Sequence, residues 1–97
     1  MKNRIAIIDG IRTPMAKAGT VLKDAPADDL GAAAVREVVH RAPVEASDVD
    51  EVIIGNVAQP AHAANIARVI ALKAGLPNSV PAYTVHRNCA SGMESIS

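Results

Sequence analysis

Short apolar runs alternate with amphipathic stretches along this chain. The runs RIAII (residues 4–8), VIIGNV (52–57) and VPAYTV (80–85) have the length and composition of buried strands. Between the first two, Leu30, Ala34 and Val38 recur every four residues, as on one face of a helix. Residues 63–74 form a second, mostly apolar helical pattern, and a third begins at about Cys89. The order β-α-β-α-β-α predicts an α/β protein with a parallel sheet and crossover helices.

Proline, glycine and acidic residues mark the predicted helix ends. Pro26 suits the first turn of the first helix, which should end near residue 41. Asp28 and Asp29 complement the positive end of its dipole, and we expect them to be surface charges rather than a catalytic pair. Gly75 is the expected stop of the second helix.

The predicted sheet has one face that needs the third helix. Consecutive right-handed crossovers that move one way across a sheet place the first two helices on the same face. The third helix can cover the opposite face, and the sequence stops within it. We therefore expect a truncated chain.

Composition narrows the class of protein. The 97 residues allow one domain at most, and 49% of them are hydrophobic. With Tyr83 the single aromatic residue, the core must consist of Ala, Val, Ile and Leu. Ten basic residues balance ten acidic ones, so neither nucleic acid nor a membrane surface is an expected partner. One cysteine excludes an internal disulfide and a Cys-rich zinc site. We expect a cytoplasmic protein without a metal.

Cys89 is the candidate nucleophile. It follows an extended, β-branched segment and precedes the third helical pattern, so it should sit close to a helix N-terminus. Unpaired N–H groups and the helix dipole favour an anion there, and the thiolate is the form of cysteine that attacks carbonyl carbon. The competing interpretation is a small buried hydrophobe, which lone intracellular cysteines commonly are. Asn88, Ser91 and Gly92 favour a tight, ligand-facing turn instead.

The remaining polar candidates carry weaker signals. His86 lies three residues before Cys89, but a role in the loop is favoured over a catalytic Cys/His pair. His40 and His62 are expected to be solvated. Arg68 stands on an otherwise apolar helix and must be paired, so it holds either a loop or a subunit interface.

Several tracts together resemble the thiolase family. The nucleophile motif of that family is similar to NCASGMESI (residues 88–96). The resemblance continues in IRTP (11–14), DEVIIGNV (50–57), NIAR (65–68) and ALKAGLP (71–77). It spans essentially the whole chain in the family's order.

The resemblance implies acyl transfer between 3-ketoacyl-CoA or acyl-CoA and CoA or acetyl-CoA, with CoA as co-substrate and no permanently bound cofactor. The implied fold is the start of an αβαβα layered sandwich, in a dimer or tetramer. Residues 1–97 would then be a partial N-terminal thiolase domain, the first half of its first α/β domain. Cys89 matches the cysteine that becomes acylated, and its N–H matches one oxyanion-hole donor. Asn65 and Arg68 match a helix near the subunit contact. The activating histidine, an Asn/His oxyanion hole, the second cysteine and the CoA-binding loops have no counterpart in these residues.

Two classes of function stay open at this point. One is the N-terminal part of a thiolase whose activity belongs to a longer chain, with a β-ketoacyl synthase as the less favoured enzyme. The other is a non-catalytic thiolase-like protein or interaction partner. The degradative or biosynthetic direction and the preferred acyl length are not encoded in any tract identified above.

Overall fold

A two-stranded parallel sheet with helices on both faces organises the chain in the computed structural model, which describes residues 3–97. The strands are β1, Val52–Gly55, and β2, Ala82–Val85, paired in register from Val52↔Ala82 to Gly55↔Val85. The α-helices are α1, Ala27–Arg41; α2, Ile66–Lys73; and α3, Ser91–Ile96. Short 3-10 helices occupy Ala46–Asp48 and Ala61–Ala63. The predicted α/β class and the parallel pairing are confirmed.

The predicted first strand is not formed, and this prediction was wrong for the present structure. Residues 3–17 contain neither helix nor strand, and the side chains of Ile5 and Ile7 are 95% and 88% exposed. A strand exists only where a neighbour accepts and donates its backbone hydrogen bonds. Within the described residues β1 and β2 pair only with each other, so the observed order is α-β-α-β-α.

The two faces of the sheet contact different helices. Val52 and Ile54 face one side, where they pack with aliphatic residues of α1 and α2. Because side chains alternate along a strand, Gly55 faces the other side. There a Cβ on Gly55 would overlap the backbone of Ser91, at the start of α3. The third helix therefore covers the face opposite α2, as the crossover argument predicts.

Aliphatic side chains alone form the buried apolar core, as the near absence of aromatic residues predicts. The core is centred on α2 and its neighbours and comprises Ala32, Val52, Ala63, Ile66, Ala67, Ile70, Ala71, Leu76 and Val80. The helix α2 ends where the sequence predicts: Ala74 is its C-cap, and Gly75 follows with φ +86°. That left-handed conformation is one that glycine adopts without steric strain.

Candidate active site

Cys89 lies on a tight turn between β2 and α3. The N–H of Ala90 donates to the carbonyl oxygen of Arg87 at 3.0 Å, so Asn88 and Cys89 are the central residues of a β-turn. Asn88 has φ +47°, a left-handed conformation that asparagine tolerates better than most residues. Cys89 is a free, exposed thiol two residues before the start of α3. The helix therefore begins slightly later than the predicted start at about Cys89. We call residues 87–91 the Cys89 turn.

The buried hydroxyl of Ser91 connects both sides of the turn. Its Oγ accepts a hydrogen bond from the N–H of Arg87 at 2.8 Å and donates one to the carbonyl oxygen of Asn88 at 2.7 Å. The same carbonyl also accepts from the N–H of Ser91 at 3.1 Å. Ser91 is only 4% exposed, so water has little access to compete for these bonds. The backbone next to Cys89 is held on both sides.

Gly55 supplies the surface on which this turn rests. A Cβ at this position would collide with the carbonyl group of Ser91 and would lie within 2.8 Å of the N–H nitrogen of Gly92. The backbone of the turn thus approaches the end of β1 as closely as a residue without a side chain permits.

Two further contacts flank the turn. The N–H of Asn88 donates to Nδ1 of His86 at 3.2 Å, so the imidazole faces the loop backbone. The guanidinium of Arg87 forms an exposed ion pair with Glu94 in α3, with Nη1 and Oε2 2.8 Å apart. Within residues 3–97 no side chain forms a hydrogen bond with the Cys89 sulfur. His86 therefore acts in the loop, and the described residues contain no Cys/His pair.

A second polar group, here called the Asp28 cluster, consists of Asp28, Asp29, His62 and Lys73. The Nζ of Lys73 lies 2.5 Å from Oδ2 of Asp28 and 2.8 Å from Oδ1 of Asp29, and Nε2 of His62 lies 3.1 Å from Oδ1 of Asp28. Asp28 is only 1% exposed. The prediction that Asp28 is a surface charge was wrong, because the fold brings Lys73 at the end of α2 over the start of α1.

The ion pairs shift the ionisation of the two central groups in opposite directions. The hydrogen bond from Lys73 and then that from His62 outweigh desolvation and lower the pKa of Asp28 to about 2. The hydrogen bonds to Asp28 and Asp29 raise the pKa of Lys73 above 10.5. His62 remains 62% exposed, as expected for a solvated ring, and it also bonds the carboxylate of Asp28.

The helix α2 is anchored by side chains at its N-terminal end. Asn65 donates to the carbonyl oxygen of Ala82 at 3.1 Å and accepts from the hydroxyl of Thr84 at 2.8 Å. Arg68 donates to the carbonyl oxygens of Val80 at 2.9 Å and Asn78 at 3.1 Å. Arg68 therefore holds the loop that precedes β2, which is one of the two roles expected for it.

The described part of the chain contains no candidate for a membrane-spanning helix and none for a metal-ligand cluster. Across residues 3–97 no helix has the length and apolarity to span a membrane. Over the same residues no three potential His, Cys, Asp or Glu ligands come together as a metal site would require.

Comparison with known proteins assigns the chain to a family. The model of the thiolase N-terminal domain matches residues 5–97, which include the Cys89 turn, Gly55 and the Asp28 cluster. The chain belongs to the thiolase family. The resemblance found in the sequence motifs is thereby confirmed.

Curated relatives and solved structures agree with this assignment. A probable acetyl-CoA acyltransferase of Staphylococcus aureus is 44% identical over 96% of this chain, and one of Staphylococcus epidermidis is 38% identical over 97%. The crystal structure of a Bacillus anthracis acetyl-CoA acetyltransferase superposes with a TM-score of 0.88 at 41% identity, over 91% of this chain and 22% of that one. The Acat5 thiolase from Ascaris suum, solved in complex with coenzyme A, gives a TM-score of 0.84 at 34% identity, over 89% and 22%.

The chain spans about a quarter of the length of the curated relatives it matches, 24% in both Staphylococcus proteins. The superpositions show the family fold over the part of the relatives that this chain covers. The names of the relatives show that the parent family is an acyltransferase family. Sequence reasoning singled out Cys89 and placed Ser91 in its turn, but it missed the two hydrogen bonds of the Ser91 hydroxyl and the contact of the turn with Gly55. The available signal was the small residues on both sides of the cysteine, which could not identify their partners.

Proposed function

We propose that this chain supplies the nucleophile of a thiolase, which transfers acyl groups between 3-ketoacyl-CoA or acyl-CoA and CoA or acetyl-CoA. The observation that carries the proposal is Cys89 itself: an exposed thiol, on a turn held from both sides, within the motif that matches the family. The relatives named as acetyl-CoA acyltransferases and the coenzyme A complex of the Ascaris thiolase support this substrate class.

In the proposed reaction the thiolate of Cys89 adds to the 3-keto carbon of a 3-ketoacyl-CoA. The bond between carbons 2 and 3 then breaks, and carbon 2 leaves with the electron pair and takes a proton from a general acid to become acetyl-CoA. The acyl group remains on sulfur as a thioester until a CoA thiolate displaces it, which gives ping-pong kinetics. The Cys89 N–H stabilises the oxyanion, and such donors are worth on the order of 10²–10³ in rate.

The resemblance implies that this chemistry needs a histidine, a second cysteine and CoA-binding loops that match nothing in these residues. Groups that act as one unit lose most of their rate when one is missing. We therefore propose that residues 1–97 alone are inactive, and that the protein that carries them acts in the cytoplasm as a homodimer or homotetramer. Coenzyme A is proposed as its co-substrate, without a permanent cofactor or metal.

The test is mass spectrometry of the protein that carries this chain, mixed with a 3-ketoacyl-CoA in the absence of free CoA. We expect one acyl adduct, on Cys89. The substitution C89S keeps the shape of the side chain but replaces the thiol with a hydroxyl that is hardly ionised at neutral pH. It should lower turnover by on the order of 10³-fold or more. An adduct on another residue, or near-normal turnover of C89S, would contradict the proposal.

A further inference from the structure

The buried hydroxyl of Ser91 bonds the backbone of the Cys89 turn rather than the N-terminal N–H groups of α3. It lies two residues after Cys89, is 4% exposed and bonds two backbone groups on the other side of the cysteine. One oxygen atom thus bonds the N–H of Arg87 and the carbonyl oxygen of Asn88, while Cys89, which lies between Asn88 and Ser91 in the chain, stays exposed. A buried group that bonds two loop atoms restricts the directions in which the intervening side chain can point.

We infer that Ser91 is a positioning residue for the nucleophile: its hydroxyl fixes the direction in which the Cys89 sulfur faces the acyl group. This inference rests on the proposed function. The hydroxyl of Ser91 bonds backbone groups of the turn, so its effect on the sulfur is exerted through that backbone. Acyl transfer requires the sulfur on a defined line to the carbonyl carbon, whereas a small alkylating reagent can approach an exposed sulfur from many directions.

Three features make the hydroxyl of Ser91 the specific source of this restraint. Asn88 holds a left-handed φ of +47°, and its carbonyl oxygen is the acceptor of the Ser91 hydroxyl. Gly55 allows the Ser91 backbone to sit directly against β1, which keeps the hydroxyl in place. The Arg87 to Glu94 ion pair, by contrast, is exposed at both ends, so solvent weakens it as a restraint.

The experiment compares S91T with S91V, whose new side chains are isosteric with each other, in the full protein that carries this chain. Threonine and valine have the same shape, so any misfit against Gly55 is shared, and only threonine retains a hydroxyl. We expect S91T to acylate Cys89 within about threefold of the unmodified protein and S91V to be at least about tenfold slower at saturating 3-ketoacyl-CoA. The substrate concentration for half-maximal rate should change less than about twofold in both.

The second measurement is the rate at which iodoacetamide alkylates Cys89. If Ser91 only maintained the fold, its loss would change this rate as well as the acylation rate. We expect similar alkylation rates in S91T and S91V, because an exposed sulfur suffices for that reaction. The control is S95A, which removes the 2.6 Å bond from the Ser95 hydroxyl to the carbonyl oxygen of Gly92, one turn further along α3. It should leave both rates unchanged.

Equal acylation by S91T and S91V would overturn the positioning role and leave Cys89 as the nucleophile. A parallel loss of acylation and alkylation in S91V would also overturn it, since the hydroxyl would then maintain the fold or the thiol in general. Acylation of another residue in the unmodified protein would instead overturn the proposed function.

Discussion

The Cys89 turn and the Asp28 cluster place their polar atoms in opposite ways. At the turn, neutral hydrogen bonds hold the backbone while the reactive atom, the Cys89 sulfur, is exposed. In the cluster, the charged atoms of Asp28 are themselves buried, and Lys73 and His62 bind them directly. One arrangement leaves a group available for an external partner, and the other uses all of its groups within the chain.

This difference separates a candidate active site from a structural ion pair. Both clusters join elements that are distant in sequence, and both contain ionisable groups near helix ends. A strongly shifted pKa is often taken as a sign of function, yet the shift to about 2 falls on Asp28, whose carboxylate is fully paired. The proposed chemistry of Cys89 rests instead on an exposed thiol held by a restrained backbone.

The largest effect is expected from G55A, which tests whether the Cys89 turn depends on its contact with β1. The new Cβ overlaps the Ser91 carbonyl group, and backbone atoms cannot move aside as a flexible side chain can. We expect a loss of about 1–3 kcal/mol or more in the free energy of unfolding, measured by urea denaturation of the protein that carries this chain. Acylation of Cys89 should fall as well.

The matched control is G10A, because a Cβ at Gly10 meets no atom within 4 Å. It should leave both stability and acylation close to those of the unmodified protein. If G55A behaved like G10A, the close contact between the turn and β1 would have no functional importance.

A smaller effect, on stability but not on the thiol, is expected from K73M. The substitution keeps most of the aliphatic side chain but leaves the buried Asp28 carboxylate with the hydrogen bond to His62 and without its lysine partner. A buried charge that loses its charged partner destabilises a protein, so the thermal midpoint should fall by several degrees. Alkylation of Cys89 by iodoacetamide should not change.

The control for K73M is K23M, since Lys23 forms no salt bridge within residues 3–97 and its side chain is exposed. Its thermal midpoint should match that of the unmodified protein. A slower Cys89 reaction in K73M at a temperature where it is folded would contradict the separation of the two clusters.

The smallest effect is the part of the pH dependence of stability that the Asp28 cluster contributes. The pKa of Asp28 is lowered from 3.8 to about 2, so its contribution is complete above about pH 4 and is lost as the pH falls through about 2. The pKa of Lys73 is raised, so its contribution is present below pH 10.5 and is lost above it. Urea midpoints measured across these two windows should show both losses, and K73M should flatten them. Identical profiles for K73M and the unmodified protein would show that the pair does not stabilise the fold.

Local patterns were sufficient to predict most of the secondary structure and one site residue. The four-residue period of α1, the stop at Gly75 and the apolar strands β1 and β2 are set by neighbours in the chain, so the sequence alone indicates them. Cys89 was found in the same way, because a single cysteine between a strand pattern and a helix pattern is a local feature. The thiolase motifs are equally local.

The failures all depend on partners distant in the sequence. An apolar run becomes a strand only beside another strand, so the pattern at residues 4–8 could not determine whether it pairs. Whether Asp28 is exposed depends on Lys73, which follows it by 45 residues and meets it only when α2 packs on α1.

The sequence by itself thus determined the family, the candidate nucleophile and the types of the elements after residue 26, because each is encoded in a short stretch of residues. Only the tertiary structure decided that α3 lies against Gly55 and that Asp28 is buried and paired. The physical reason is that close approach, burial and charge pairing are properties of two segments together. Neither segment contains the information about its partner.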